Sequence, residues 1–247
     1  MTDMETKKPQ HIVRSYDDEL GHICARIVEM GGLVEDQLAS AITAIVKRDA
    51  ALGEQVSGQD GRVDEMEREI DELIVRLLAK RQPVADDLRE VVAGLKIVGI
   101  LERVGDYAAH VGERAVTLGA APELPAVLVI ARMGKMVRDL FADALAAYAN
   151  QDARLALSVW QRDQDLDRLY ASLFHELLKS MEWDSENIAT CTHLLFIAKY
   201  IERVGDFATN IAEHVHFLAL GHPPQGERPK AGNTNIAIKP ITGGQPS

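Results

Sequence analysis

The pentapeptide Glu102-Arg103-Val104-Gly105-Asp106 returns 100 residues later as Glu202-Arg203-Val204-Gly205-Asp206. The match runs on, with Tyr107-Ala108 against Phe207-Ala208, Val111 against Ile211 and Glu113 against Glu213. Upstream, Met30-Gly31, Asp36, Asp49-Ala50, Asp60 and Asp64 reappear as Met133-Gly134, Asp139, Asp152-Ala153, Asp163 and Asp167, all at a spacing of 103. A repeat of this length implies a duplicated supersecondary unit whose copies bury a shared face. The change in spacing from 103 to 100 means that the turn before the last helix is three residues shorter in the second copy.

The unit is helical. Ile23, Ile27, Met30, Val34, Leu38, Ala41, Ile42 and Ile45 recur at three- and four-residue steps, the pattern of an amphipathic helix over about 11–48. Val56, Val63, Met66, Ile70, Leu73, Leu77 and Leu78 carry a second helix over about 51–80. A third spans 85–118. Asp49 breaks and caps, Pro83 marks a turn by forcing Gln82 out of helical geometry, and Gly119 stops the third helix. The second copy predicts helices near 124–150, 153–181 and 186–219, with Asp184 or Ser185 as the cap in its shortened turn. The expected fold is therefore all-α: two tandem three-helix bundles, six long helices, related by internal duplication. The first bundle spans 11–119 and the second 124–220. Residues 1–10 read as a flexible N-terminus, and 221–247, rich in Gly, Pro, Asn and Thr, as a disordered tail.

Charge narrows the function. The chain has 27 Lys and Arg against 38 Asp and Glu, a net charge of −11. That argues against a nucleic-acid binder, which needs a basic surface, and favours a protein that gathers cations or meets a basic partner. Because the tail sets Arg228, Lys230 and Lys239 against Glu227, the acidity belongs to the helices. Cys24 and Cys191 form no Cys-x-x-Cys and read as buried thiols of a reducing compartment. With no signal-peptide pattern and no apolar run long enough to span a bilayer, a soluble cytoplasmic protein is expected.

The acidic residues have a register. Glu102 and Asp106 stand one helical turn apart, and Glu113, eleven residues beyond Glu102, shares their stripe. Glu202, Asp206 and Glu213 repeat it. In an antiparallel helical hairpin, residues equidistant from the turn lie abreast. About Pro83, Asp60 falls beside Asp106 and Asp64 beside Glu102; about Asp184 and Ser185, Asp163 falls beside Asp206 and Asp167 beside Glu202. Four carboxylates at one level repel, and burial without a cation is costly. Oxygen-only ligands suit Mg²⁺, Mn²⁺ or iron, and suit zinc less. Asn210 and His110, four residues after each Asp, are additional candidates, and Asp36 and Asp139 are weaker ones. The plainer reading of any single pair is a solvated acidic face; the doubled register is what argues against it. Arg103 and Arg203 sit one residue off the stripe, as rim charges. Glu19-x-x-His22 and Glu213-x-x-His216 have the spacing of di-iron helices, which keeps a ferritin-like oxidase as the alternative. No phosphate loop and no nucleophile elbow is present.

Two three-helix units, each ending in Glu-Arg-Val-Gly-Asp-aromatic-Ala and each carrying Asp-x-x-x-Asp, resemble the PhoU family of phosphate-signalling proteins. So do His11-Ile12-Val13-Arg14-Ser15-Tyr16, Met30-Gly31-Gly32, Arg81-Gln82-Pro83 and Asp87-Leu88-Arg89, and the resemblance covers about 11–220. It implies a non-enzymatic negative regulator of the phosphate-starvation response, often a homodimer. Such a protein binds metal clusters and couples the ATPase subunit of a phosphate ABC transporter to a sensor histidine kinase. The motif matches Asp60, Asp64, Glu102, Asp106, Asp163, Asp167, Glu202 and Asp206. Ile100 stands where many relatives carry an acidic residue and His110 where Asn is usual, while Asn210 keeps the pattern. The second site is therefore the one expected to hold metal better.

Overall fold

In the computed structural model the chain is described over residues 9–122, 124–226 and 228, without the side chains of 9–15 and Asp60. The expectations for 1–8 and 229–247 lie outside these residues. All regular structure among them is helical. The first unit holds α1 (Pro9–Lys47), α2 (Ala50–Ser57), α3 (Asp60–Arg81) and α4 (Ala85–Leu118); the second holds α5 (Ala126–Asn150), α6 (Ala153–Trp183) and α7 (Ile188–Leu220), with a short 3₁₀ turn at Ser185–Asn187.

The joints reproduce the repeat. Arg48 and Gln151, equivalent in the two copies, both turn the chain with left-handed backbone. The Asp that follows each then caps the next helix. Asp49 accepts a hydrogen bond from the Leu52 amide at 3.0 Å, and Asp152 accepts from the amides of Arg154 and Leu155. Gln82 is also left-handed, consistent with the restriction Pro83 imposes. Asp184, rather than Ser185, caps the shortened turn through the Glu186 amide at 3.0 Å.

One helix departs from expectation. The sequence predicts a continuous second helix over 51–80, but it breaks between α2 and α3, whereas its counterpart α6 runs unbroken. Gly58 ends α2, with its amide bonded to the Glu54 carbonyl at 3.1 Å. The buried Gln37 of α1 donates to the Gln59 carbonyl at 3.2 Å and so satisfies the exposed backbone at the break. In the second copy the same positions carry Gln161 for Gly58 and Leu140 for Gln37, so neither the weak helix former nor the bridging amide is present.

The two units share one core. Ile27, Met30 and Leu38 of α1 and Ile130, Met133 and Phe141 of α5 are all fully buried. The packing of α1 on α5 is reciprocal. A Cβ placed on Gly31 would fall 2.6 Å from Leu145, and one on Gly134 would fall 2.6 Å from Ile42. Gly134 is the repeat equivalent of Gly31, and Leu145 of Ile42, so the bundles meet about a local two-fold axis. The last helices meet as well: Tyr107 of α4 stacks on Tyr200 and Phe207 of α7.

Two carboxylate sites

The first site lies where α3 packs on α4. Glycine at position 105 permits the approach, because a Cβ there would press on Val63 at 3.3 Å. Asp64, Glu102 and Asp106 are brought together as the register requires. A fourth carboxylate, Glu67, joins them, although the sequence reading did not single it out. Burial, followed by the charges of Asp106, Glu67 and Asp64, pushes the Glu102 carboxyl up to about 7, against a weaker pull from Arg103. Glu67 is pushed in the same direction by burial, Asp71, Asp64 and Asp106. The Asp60 side chain lies outside the described residues. Among those that are described, no ion pair reaches Asp64, Glu67, Glu102 or Asp106.

The second site, between α6 and α7, has the same skeleton with different electrostatics. Gly205 is again needed for the approach: a Cβ would fall 2.5 Å from Leu166 and 2.9 Å from Asp163 Oδ1. Asp163 is 1 % exposed. Burial pushes its carboxyl up, Asp167 and Asp206 add to the shift, and Arg228 opposes it. Arg228 is the unexpected member. Its guanidinium donates to Asp163 Oδ2, lies 2.8 Å from Asp206 Oδ1 and reaches Thr209 Oγ1 at 3.2 Å. The residue belongs to the segment read from the sequence as a tail, and its side chain sits against α6 and α7. Lys199 neutralises a further carboxylate, donating to Glu202 Oε2 at 2.6 Å. Its Nζ also sits 5.2 Å from the Tyr170 ring.

The repeat explains the asymmetry. Tyr170 occupies the position of Glu67, and Lys199 that of Gly99. The first site therefore concentrates negative charge, whereas the second carries its own cations. Glu67 was legible as the residue three beyond Asp64, and Lys199 as the one three before Glu202. Arg228 had no periodic signal, because it approaches from a segment outside the repeat.

The other candidates have these surroundings. Glu113 is exposed and pairs with His110 at 3.4 Å. Glu213 accepts from Trp160 Nε1 at 3.0 Å. Asn210 is half-buried on α7, and Asp36 and Asp139 are exposed. The two Glu-x-x-His pairs do not converge. Glu19 pairs with Arg81 at 2.8 Å, His22 is exposed, and the buried His216 faces the His222 carbonyl at 2.9 Å.

Do these residues fit a metal? Among the described residues no three His, Cys, Asp or Glu side chains converge tightly enough to hold an ion as they stand. The donor chemistry does fit a hard cation. In the second site Asp163 Oδ1 is buried without a hydrogen-bond partner, and a guanidinium already stands where positive charge is required. Both cysteines are free thiols, Cys191 buried. No described helix is long and apolar enough to cross a membrane.

Comparison with known proteins agrees with this duplication. The PhoU domain model matches twice, at residues 27–115 and 130–215. The phosphate-specific transport system accessory protein PhoU homolog of Caulobacter vibrioides is 46% identical over 90% of this chain and 96% of its own. The homolog of Rhizobium meliloti is 42% identical over 89% of this chain and 93% of its own. The crystal structure of PhoU from Pseudomonas aeruginosa superposes with a TM-score of 0.81 at 40% identity, covering 83% of this chain and 99% of that one. The phosphate transport system regulatory protein PhoU from Streptococcus pneumoniae gives 0.79 at 28% identity, covering 85% and 99%.

Proposed function

Because the chain belongs to the PhoU family, we propose that it is an accessory regulator of a phosphate-specific transport system, acting by binding rather than by catalysis. It represses the phosphate-starvation response when phosphate is plentiful. It does so by linking the ATPase subunit of the phosphate ABC transporter to a sensor histidine kinase, as a cytoplasmic homodimer that meets the membrane only through these partners. The observation that carries the metal part of this reading is the paired set of carboxylates across α3/α4 and α6/α7. In the first site burial, and after it the neighbouring carboxylates, push the Glu102 carboxyl up to about 7.

A divalent or trivalent ion (Mg²⁺, Mn²⁺, iron or zinc) would supply the missing positive charge. Asp60 and Asp64 of α3 with Glu102 and Asp106 of α4 would hold it in the first site; Asp163, Asp167, Glu202 and Asp206 would do so in the second. The chain's own contribution is to keep these side chains level across each hairpin, with Gly105 and Gly205 admitting the neighbouring helix.

Deletion of the gene tests the regulatory reading: starvation genes are expected to switch on in high phosphate. Unchanged repression would overturn it. Elemental analysis of protein purified without chelator tests the metal reading. The metal content is expected to fall in Glu102→Gln/Asp106→Asn, and metal-free wild type would count against the assignment.

A further inference from the structure

We propose that Arg228 is an internal cation that occupies the second carboxylate site and competes with metal for it, so that this site loads only when Arg228 releases Asp163 and Asp206. The proposal rests on the metal-binding reading above and adds the residue that controls one of its two sites.

Three observations carry it. First, the contacts are directed at the site itself. Arg228 bridges Asp163 of α6 and Asp206 of α7, the two carboxylates that the hairpin register pairs, and also reaches Thr209. A guanidinium between two carboxylates satisfies the same electrostatic demand as a metal ion. Second, the satisfaction is incomplete. Asp163 is 1 % exposed, yet its Oδ1 has no hydrogen-bond partner, and the Nε of Arg228 is likewise buried and unpaired. Burial with unmet bonding capacity is costly, so the pairing with Arg228 leaves part of the site's demand unmet. Third, among the described residues the arrangement occurs once. In the first unit the chain continues from α4 towards α5, and the residue 100 before Arg228 is Leu128, which is 73% exposed on α5. The repeat therefore duplicates the carboxylates without duplicating the arginine.

A ligand that must displace an internal competitor binds with its affinity reduced by the fraction of competent protein. The second site is thus conditional on Arg228 letting go of Asp163 and Asp206.

The test uses full-length protein with the first site removed (Glu102→Gln/Asp106→Asn), stripped with EDTA and titrated with Mn²⁺ by calorimetry and electron paramagnetic resonance. Arg228→Gln is expected to tighten Mn²⁺ binding about tenfold or more, the equivalent of one charge-assisted hydrogen bond. Adding Asp163→Asn should remove the gain. In parallel, a double-mutant cycle between Arg228→Gln and Asp163→Asn, measured by urea unfolding in EDTA, is expected to show favourable coupling. Absence of coupling would overturn the contact. Coupling with unchanged Mn²⁺ affinity would overturn the competition and leave Arg228 a structural ion pair. Coupling without Mn²⁺ binding to any variant, the unmodified protein included, would overturn the metal reading itself, and the competition with it.

Discussion

Tyr107 and Phe207, which follow the Asp of the two repeated pentapeptides, stack on each other with ring centroids 5.8 Å apart and planes 27° from parallel. They are equivalent residues, so the contact lies on the axis relating the two units. Each follows its Asp by one position, about 100° around a helix. The aromatic ring can therefore face the seam between α4 and α7 while the carboxylate faces α3 or α6. The stack joins α4 and α7, the two helices that carry Glu102/Asp106 and Glu202/Asp206. Tyr107→Ala and Phe207→Ala are each expected to destabilise the protein, with a coupling of ~1 kcal/mol in a double-mutant cycle by urea unfolding. Additivity would mean that the rings are neighbours without being partners.

The α1–α5 contact predicts opposite outcomes for chemically identical substitutions. Gly134→Ala places a methyl 2.6 Å from Ile42 and is expected to cost ~1–3 kcal/mol, overriding the gain in helix propensity. Gly99→Ala meets nothing within 4 Å and should stabilise α4 by ~0.5–1 kcal/mol. Thermal unfolding distinguishes them. Ile42→Val in the Gly134→Ala background should recover part of the loss, because it removes one of the crowding atoms.

Much of this was readable from the chain, for reasons that also mark where reading ends. Duplicated Asp49 and Asp152 announced their caps because capping depends on local geometry. The antiparallel register brought Asp64 to Glu102 and Asp106 because helical hairpins preserve index symmetry. The break at Gly58 was not readable, since it depends on Gln37 reaching across from α1 to the Gln59 carbonyl. Nor was the part of the second site's neutralisation that comes from Arg228. Arg228 lies outside the periodic pattern, and only the return of the segment after α7 gives it carboxylates to meet. Glu113 and Glu213 share the stripe, and the spacing did not show that His110 and Trp160 would be their neighbours.

The raised Glu102 carboxyl has a signed consequence for metal-free protein. Its unfolded value is 4.5 and its folded value about 7, so between these the folded state binds the extra proton. Stability is therefore fully supported below pH 4.5 with respect to this group, declines as pH rises towards 7, and is flat above. Glu102→Gln is expected to flatten that slope in urea denaturation measured in EDTA. An unchanged slope would show that the proton is held elsewhere.

The order in which metal fills the two sites follows from their cations. Asn210 made the second site the expected favourite from sequence, but Arg228 and Lys199 already pair with Asp163, Asp206 and Glu202 there. At the first site the described carboxylates have one another and no ion-paired cation. Mn²⁺ added to EDTA-stripped protein near pH 8 is therefore expected to enter the first site at lower concentration. It should raise the unfolding midpoint by mass action, worth ~2.7 kcal/mol once free metal reaches a hundred times its dissociation constant. Glu102→Gln/Asp106→Asn should abolish this early rise and leave a later one, which Glu202→Gln/Asp206→Asn should abolish in turn. If the second pair of substitutions removed the early rise instead, the internal cations would not be what separates the sites, and Asn210 would be the residue to examine next.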